Sequence, residues 1–179
     1  MLRHVPLLLL LTGLLGGACA PALQPAAGPA LAPPSAPAAP ASDLAPELTV
    51  ETLDGRLWRL SEHRGQPVVL FFTASWCSSC LPEIATLNRL YALYRDQGLQ
   101  VVVISVDPSD TAADFLRFKQ LAQGDDYVWG LDRGGQATIA YQVKMLETKV
   151  VVGRDGRVVA RHVGREPFEA AKAAIESAL

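Results

Sequence analysis

Pro67-Val68-Val69-Leu70-Phe71-Phe72-Thr73-Ala74-Ser75-Trp76-Cys77-Ser78-Ser79-Cys80-Leu81-Pro82-Glu83 decides the fold. Its apolar run, without polar alternation, predicts a strand buried on both faces, as in a sheet covered by helices on both sides. From Pro82 to Gln97 the period changes. Ile84, Leu87, Leu90, Tyr91 and Tyr94 fall on one helical face, and Gly98 marks the end. The cysteines therefore sit where a strand hands over to a helix. There Cys77 meets unsatisfied backbone N–H groups and the positive end of the helix dipole, both of which favour thiolate over thiol. Cys80 lies one turn later on the same face and can attack a mixed disulfide formed at Cys77. A Cys-x-x-Cys in this setting is the sequence signature of a dithiol/disulfide exchange site.

On the N-terminal side, Leu48 to Thr52 and Arg56 to Leu60 flank Asp54-Gly55, a hairpin turn signal. On the C-terminal side, Leu99 to Val106 predicts a second buried strand. Ser109 and Asp110 are expected to open a helix with Ala113, Phe115, Leu116 and Phe118 facing inward. Gly134 to Tyr141 predicts a short helix. Lys149 to Val152 and Val158 to Val163 predict strands joined by the turn Arg154-Asp155-Gly156, and Pro167 opens a last helix running to Leu179. Strands alternating with helices, then a terminal hairpin and helix, specify an α/β sandwich with a mixed central sheet and an N-terminal β-hairpin. Trp58 and Trp129 are expected in the core, and His63 and His162 at the surface.

Residues 1–20 read as a signal peptide. Met1-Leu2-Arg3-His4 is a short positive start, and the apolar run Val5 to Leu15 reaches only about half of the ~20 residues that span a bilayer. Cleavage before Cys19 would make that residue the lipid anchor of a lipoprotein. Cleavage after Ala20 would use Ala18-Cys19-Ala20 and leave a soluble exported protein. Residues 21–46 hold eight of the 13 prolines and one charge, Asp43, which predicts a semi-extended Ala/Pro-rich tether. Residues 47–179 form one folding unit, enough for a single core.

The formal net charge of −2 argues against nucleic acid as a partner. No Gly-rich phosphate loop or Ser/His/Asp arrangement stands out, and no cofactor is expected. A closed tetrahedral zinc site would need a second pair of ligands, and His63 and His162 stand at no ligand spacing from Cys77.

The segment Phe71 to Glu83 resembles the active-site segment of thioredoxin-like proteins, in particular the exported TlpA/ResA group of thiol–disulfide oxidoreductases. Ile104-Ser105-Val106-Asp107, Tyr141-Gln142-Val143 and Val151 to Val159 match further, in the family's order, over nearly all of residues 47–179. The resemblance implies a thioredoxin-like three-layer sandwich, with Cys77 as attacking thiol and Cys80 as resolving thiol of a redox disulfide. It implies that Glu83 is an acid/base neighbour of the pair and that Trp76 flanks the site. Its expected partners are exported proteins with disulfides or CxxC thiols, such as apocytochrome c, and a membrane electron donor.

Two positions depart from the family. Where its cis-proline faces the dithiol, this chain has Glu147, within Leu146-Glu147-Thr148. A cis bond before a non-proline residue costs ~3–4 kcal/mol, so a trans Leu146–Glu147 peptide is expected. Its carboxylate either approaches Cys77 and opposes the thiolate, or points outward to Lys144 or Lys149. Ala85 replaces a proline that kinks the family's active-site helix, so a straighter helix is expected. Sco-type copper chaperones share the fold and take a histidine near the position of Met145. Cu(I) held by Cys77, Cys80 and Met145 is therefore an alternative, as is a redox-inert structural disulfide.

Overall fold

The computed structural model describes residues 44–179. The expected signal peptide, the expected Cys19 anchor and most of the expected tether lie outside the described residues. Seven strands form one sheet: β1 (Thr49–Thr52), β2 (Leu57–Arg59), β3 (Val68–Thr73), β4 (Gln100–Ser105), β5 (Val128–Leu131), β6 (Thr148–Val152) and β7 (Val158–Val163). Four helices accompany it: α1 (Leu81–Tyr94), α2 (Ala112–Leu121), α3 (Gln136–Ala140) and α4 (Phe168–Glu176). The strand order is β2-β1-β5-β4-β3-β6-β7. β3, β4 and β5 run parallel, and α1 and α2 supply the long crossovers that parallel neighbours need. β1, β2, β6 and β7 pair antiparallel, so the sheet is mixed.

β3 is central and all six of its residues are buried. Their alternation divides the core in two. Val69 and Phe71 pack with Ile84, Leu87, Phe115, Phe118 and Ile175 under α1, α2 and α4. Val68, Leu70 and Phe72 pack with Leu48, Trp58, Ala137 and Tyr141 on the other face, under α3 and the β1–β2 hairpin. Each fully buried phenylalanine contributes roughly 1.5–3 kcal/mol of transfer free energy. This double-sided burial fixes β3, and with it the point where the chain emerges at Ala74.

Several elements differ from the sequence reading. β5 is an added strand: four residues containing Gly130 are too short a stretch to set a period. Gly130 marks a close approach: a Cβ there would lie 2.9 Å from Val50 Cγ2 and 3.1 Å from the Glu51 carbonyl oxygen. α2 begins at Ala112 behind a capping box of Thr111 and Asp114, which leaves Ser109 and Asp110 outside the helix. Phe115 and Phe118 are buried, whereas Ala113 and Leu116 face solvent. Leu44 to Pro46, assigned to the tether, pack on the domain. The Ala45 N–H donates to the Gly156 carbonyl at 2.8 Å, and the Tyr141 hydroxyl to the Pro46 carbonyl at 2.7 Å. Trp58 and Trp129 are buried, and His63 stacks on Trp58 at 4.7 Å. His162 lies on edge strand β7. Among the described residues no helix is long and apolar enough to cross a membrane.

Candidate active site at the Cys77–Cys80 pair

β3 ends at Thr73, and the chain turns at once, the Cys77 N–H donating to the Ala74 carbonyl at 3.1 Å. Cys77 is the N-cap of a single 3-10 turn, Ser78–Cys80, and α1 proper starts at Leu81. The helix therefore begins within one residue of the expected Pro82, with one tight turn inserted between Cys77 and its start. It then runs without interruption past Ala85, with Pro82 tolerated in its first turn. Cys77 and Cys80 are joined in a disulfide with their Cα atoms 5.4 Å apart. The two sulfurs are not equivalent. Cys80 is fully buried, whereas Cys77, 4% exposed, lines an open groove of about 470 Å³.

Two aspartates from the loop after β4 hold the segment before the disulfide. Asp110, itself buried, accepts the Ser75 N–H at 2.8 Å, the Ser75 hydroxyl at 2.6 Å and the Ser105 hydroxyl. Asp107 accepts the Trp76 indole N–H at 2.6 Å, together with the backbone N–H and hydroxyl of Ser109. The Ser109 hydroxyl, followed by the indole, holds the Asp107 carboxyl below its ordinary value. Trp76, 67% exposed, is thereby tied down beside the groove. In the sequence Asp107 stood out only within a family match and Asp110 only as a helix opener. No local signal distinguishes a capping aspartate from one that reaches back thirty-five residues.

The opposite wall comes from the loop between α3 and β6 and from the turn after β7. Met145, Leu146, Glu147 and Gly164 face Trp76 and Cys77 across the groove. No cis peptide occurs among the described residues, so the Leu146–Glu147 bond is trans as expected. Glu147 sits in the left-handed region at φ 62°, a conformation costing a residue with a Cβ roughly 1–2 kcal/mol. Its backbone is held on both sides: its N–H donates to the Phe72 carbonyl at 3.0 Å, and its carbonyl accepts the Gly164 N–H at 3.2 Å. A carboxylate oxygen of Glu147 and the two sulfurs lie within 4.8 Å of one another. Of the two orientations open in the sequence, the inward one is realised. Met145 is 65% exposed at the rim, its carbonyl accepting the Thr148 hydroxyl at 2.7 Å.

A family model described as AhpC/TSA family matches residues 41–161. The chain belongs to that family. The thiol-disulfide oxidoreductase ResA of Geobacillus thermodenitrificans is 32% identical over 135 residues, covering 74% of this chain and 75% of that protein. A structure provisionally described as the thiol:disulfide interchange protein DsbE from Chlorobium tepidum matches with a TM-score of 0.69 at 31% identity, over 76% of this chain and 95% of that one. A second, provisionally described as a protein disulfide isomerase from Bacteroides thetaiotaomicron, matches at 0.67 and 26% identity, over 76% and 88%. With such relatives and a cysteine pair at bonding distance, this AhpC/TSA-family chain is a thioredoxin-like thiol–disulfide oxidoreductase.

One helical turn beyond Cys80 of this AhpC/TSA-family protein, Glu83 belongs to an ionic cluster. Lys149 Nζ bonds Glu83 Oε2 at 2.9 Å and Glu166 Oε2 at 2.7 Å, and the Glu166 N–H donates to Glu83 Oε1 at 3.2 Å. Glu83, expected beside the cysteines, lies one helical turn beyond Cys80, 2% exposed and with both oxygens engaged. Lys149, weighed in the sequence as a partner of Glu147, pairs with Glu83 and Glu166 instead, and Glu166 was not singled out. Lys149 falls in a strand whose inward positions normally read as apolar, and only a buried acid facing it accounts for the charge. The disulfide thus faces Glu147 on its groove side, while Glu83, one turn further along α1, is held among paired charges.

Proposed function

We propose that this protein is exported and passes electrons between its Cys77–Cys80 couple and disulfides of partner proteins in the same compartment. The supporting observation is the asymmetry of the pair: Cys77 lines the groove and Cys80 lies wholly behind it. In the reduced protein the Cys77 thiolate attacks one sulfur of a partner disulfide, forming a mixed disulfide and releasing the partner's other sulfur as a thiolate. The Cys80 thiolate then attacks Cys77 Sγ, closing the Cys77–Cys80 bond and freeing the partner's second thiol. Two electrons move from this protein to the partner. A membrane-bound dithiol donor returns them by the reverse sequence.

Glu147 favours that direction. A carboxylate beside the sulfurs disfavours thiolate at Cys77 and withdraws a stabilisation that an oxidant's reduced form needs. The dithiol is accordingly the better electron donor. Glu83 acts as the proton-handling neighbour of Cys80, supported by its place one turn on and its burial. Trp76, Leu146 and Glu147 form the rim that receives the partner's backbone. Export rests on the signal-like residues 1–20, and a lipid on Cys19 would hold the protein at the membrane.

The test is exchange with a glutathione buffer and with a disulfide-bonded peptide. Wild type should equilibrate with the buffer, Cys77→Ser should abolish turnover, and Cys80→Ser should accumulate a mixed disulfide with the peptide. A Cys77–Cys80 bond that stays intact across the whole buffer range would refute the reading.

A further inference from the structure

The carboxylate that faces the cysteines does more than oppose a thiolate. The three groups Cys77 Sγ, Cys80 Sγ and a Glu147 carboxylate oxygen, all within 4.8 Å of one another, form the one cluster of three or more Cys, His, Asp or Glu ligands among the described residues. We propose that the reduced protein binds one thiophilic divalent cation of the zinc class through Cys77, Cys80 and Glu147, so that metal binding and disulfide closure exclude each other at one site. The inference rests on the oxidoreductase reading only in needing a pair that can be reduced.

Geometry carries it first. Two Zn–S bonds of ~2.3 Å at a tetrahedral angle place the sulfurs roughly 3.8 Å apart. Cysteines three residues apart on one turn, with Cα atoms 5.4 Å apart, span that separation without backbone movement. A carboxylate oxygen bound at ~2.0–2.2 Å would close in by about an ångström, within reach of a glutamate rotamer. The backbone of the third ligand is also set in advance. Its left-handed conformation is pinned by Phe72 on one side and Gly164 on the other, so only the Glu147 side chain has to be ordered on binding.

Charge carries it second. Two thiolates and a carboxylate around one point repel one another, and neither lysine considered as a partner of Glu147 relieves this. Lys149 is committed to Glu83 and Glu166, and Lys144 makes no ion pair with Glu147. A divalent ion supplies the missing positive charge. The ligand set selects the class: two thiolates exclude magnesium and calcium, and a carboxylate is a poorer match for Cu(I) than for a borderline ion. Three protein ligands leave a fourth position, which opens to the groove lined by Trp76 and Met145. Binding releases the thiol protons to solvent and changes no oxidation state. The loaded protein has no free thiolate and cannot exchange.

The experiment titrates Zn(II) into the DTT-reduced, desalted full-length protein under anaerobic conditions against a chromophoric chelator. Co(II) serves as a second probe, because its absorption reports tetrahedral thiolate coordination. One equivalent should bind to reduced wild type and none to the oxidised form. Cys77→Ser should bind none, and Glu147→Gln should bind at least tenfold more weakly. Glu147→Gly is a second carboxylate-free variant that suits the left-handed backbone, and it should match Glu147→Gln. Equal Zn(II) affinity in wild type and both Glu147 variants would overturn the proposal, as would Cu(I) binding lost in Met145→Leu with no Zn(II) bound. Wild type that exchanges with glutathione but binds no Zn(II) would sink the metal site and leave the oxidoreductase standing. Wild type that does neither would sink both.

Discussion

The Ser75 backbone N–H donates to the Asp110 carboxylate at 2.8 Å, joining the loop that presents Cys77 to the loop after β4. The same carboxylate takes the hydroxyls of Ser75 and Ser105. Asp110→Ala leaves these donors without an acceptor in a buried site, and hydrogen bonds to a charged group contribute ~1.5–3 kcal/mol. We expect a loss of about 3 kcal/mol in urea unfolding of the oxidised protein, with slower exchange at Cys77. Unchanged stability would mean that the loop holds itself.

Glu147→Gln removes the negative charge nearest the sulfurs while keeping size and backbone. A shift of one pKa unit corresponds to about 1.4 kcal/mol, within reach of a partly solvated carboxylate at this separation. The reduced variant should react with iodoacetamide about tenfold faster than wild type at pH 7, and its couple should move toward a more oxidising potential. Equal alkylation rates would remove Glu147 from the chemistry of the pair.

Lys149 is the only cation bonded to both Glu83 and Glu166 among the described residues. Lys149→Met strands the buried Glu83 carboxylate and unpairs the part-buried Glu166, and breaking such a cluster costs ~3–5 kcal/mol. Adding Glu83→Leu should recover part of that loss, because one uncompensated charge then disappears. A double variant as unstable as the sum of its single changes would show that the residues are not coupled.

The Asp107 carboxyl is held below its ordinary value of 3.8 by the Ser109 hydroxyl and then by the Trp76 indole. A depressed native value gives stabilisation that is complete well above the unfolded value and is lost as pH falls through the native one. Trp76 emission should therefore stay constant from pH 7 to 5 and change as acid protonates Asp107 below about pH 4. Asp107→Asn should lack that transition. An identical acid transition in the variant would place the titrating group elsewhere.

Sequence patterns located β3, β4 and β6 by their continuous burial, α1 by its apolar face, and β7 by the Arg154-Asp155-Gly156 turn before it. Val68 to Phe72 needs two covered faces, and Ile84, Leu87, Leu90 and Tyr94 need one. β5 escaped because Gly130 answers to a neighbour, Val50, eighty residues earlier in the chain. The cysteines, Trp76 and Glu147 were legible from local spacing and resemblance. Asp110, Lys149 and Glu166 were not, because each acts through a partner distant in sequence. An isolated charge in the sequence looks the same whether it ends in solvent or in an ion pair. The inward aim of Glu147 depends on φ 62° and on Gly164, neither of which a pattern of side chains records.

The backbone of residue 147 is secured by main-chain bonds to Phe72 and Gly164, independently of what its side chain does. The position is therefore an interchangeable port: acidic, amide, basic or bare residues can be installed there on one unchanged framework. A panel of such replacements would turn a single locus into a dial on the redox couple, separating the electrostatics of the thiol pair from the architecture that carries it.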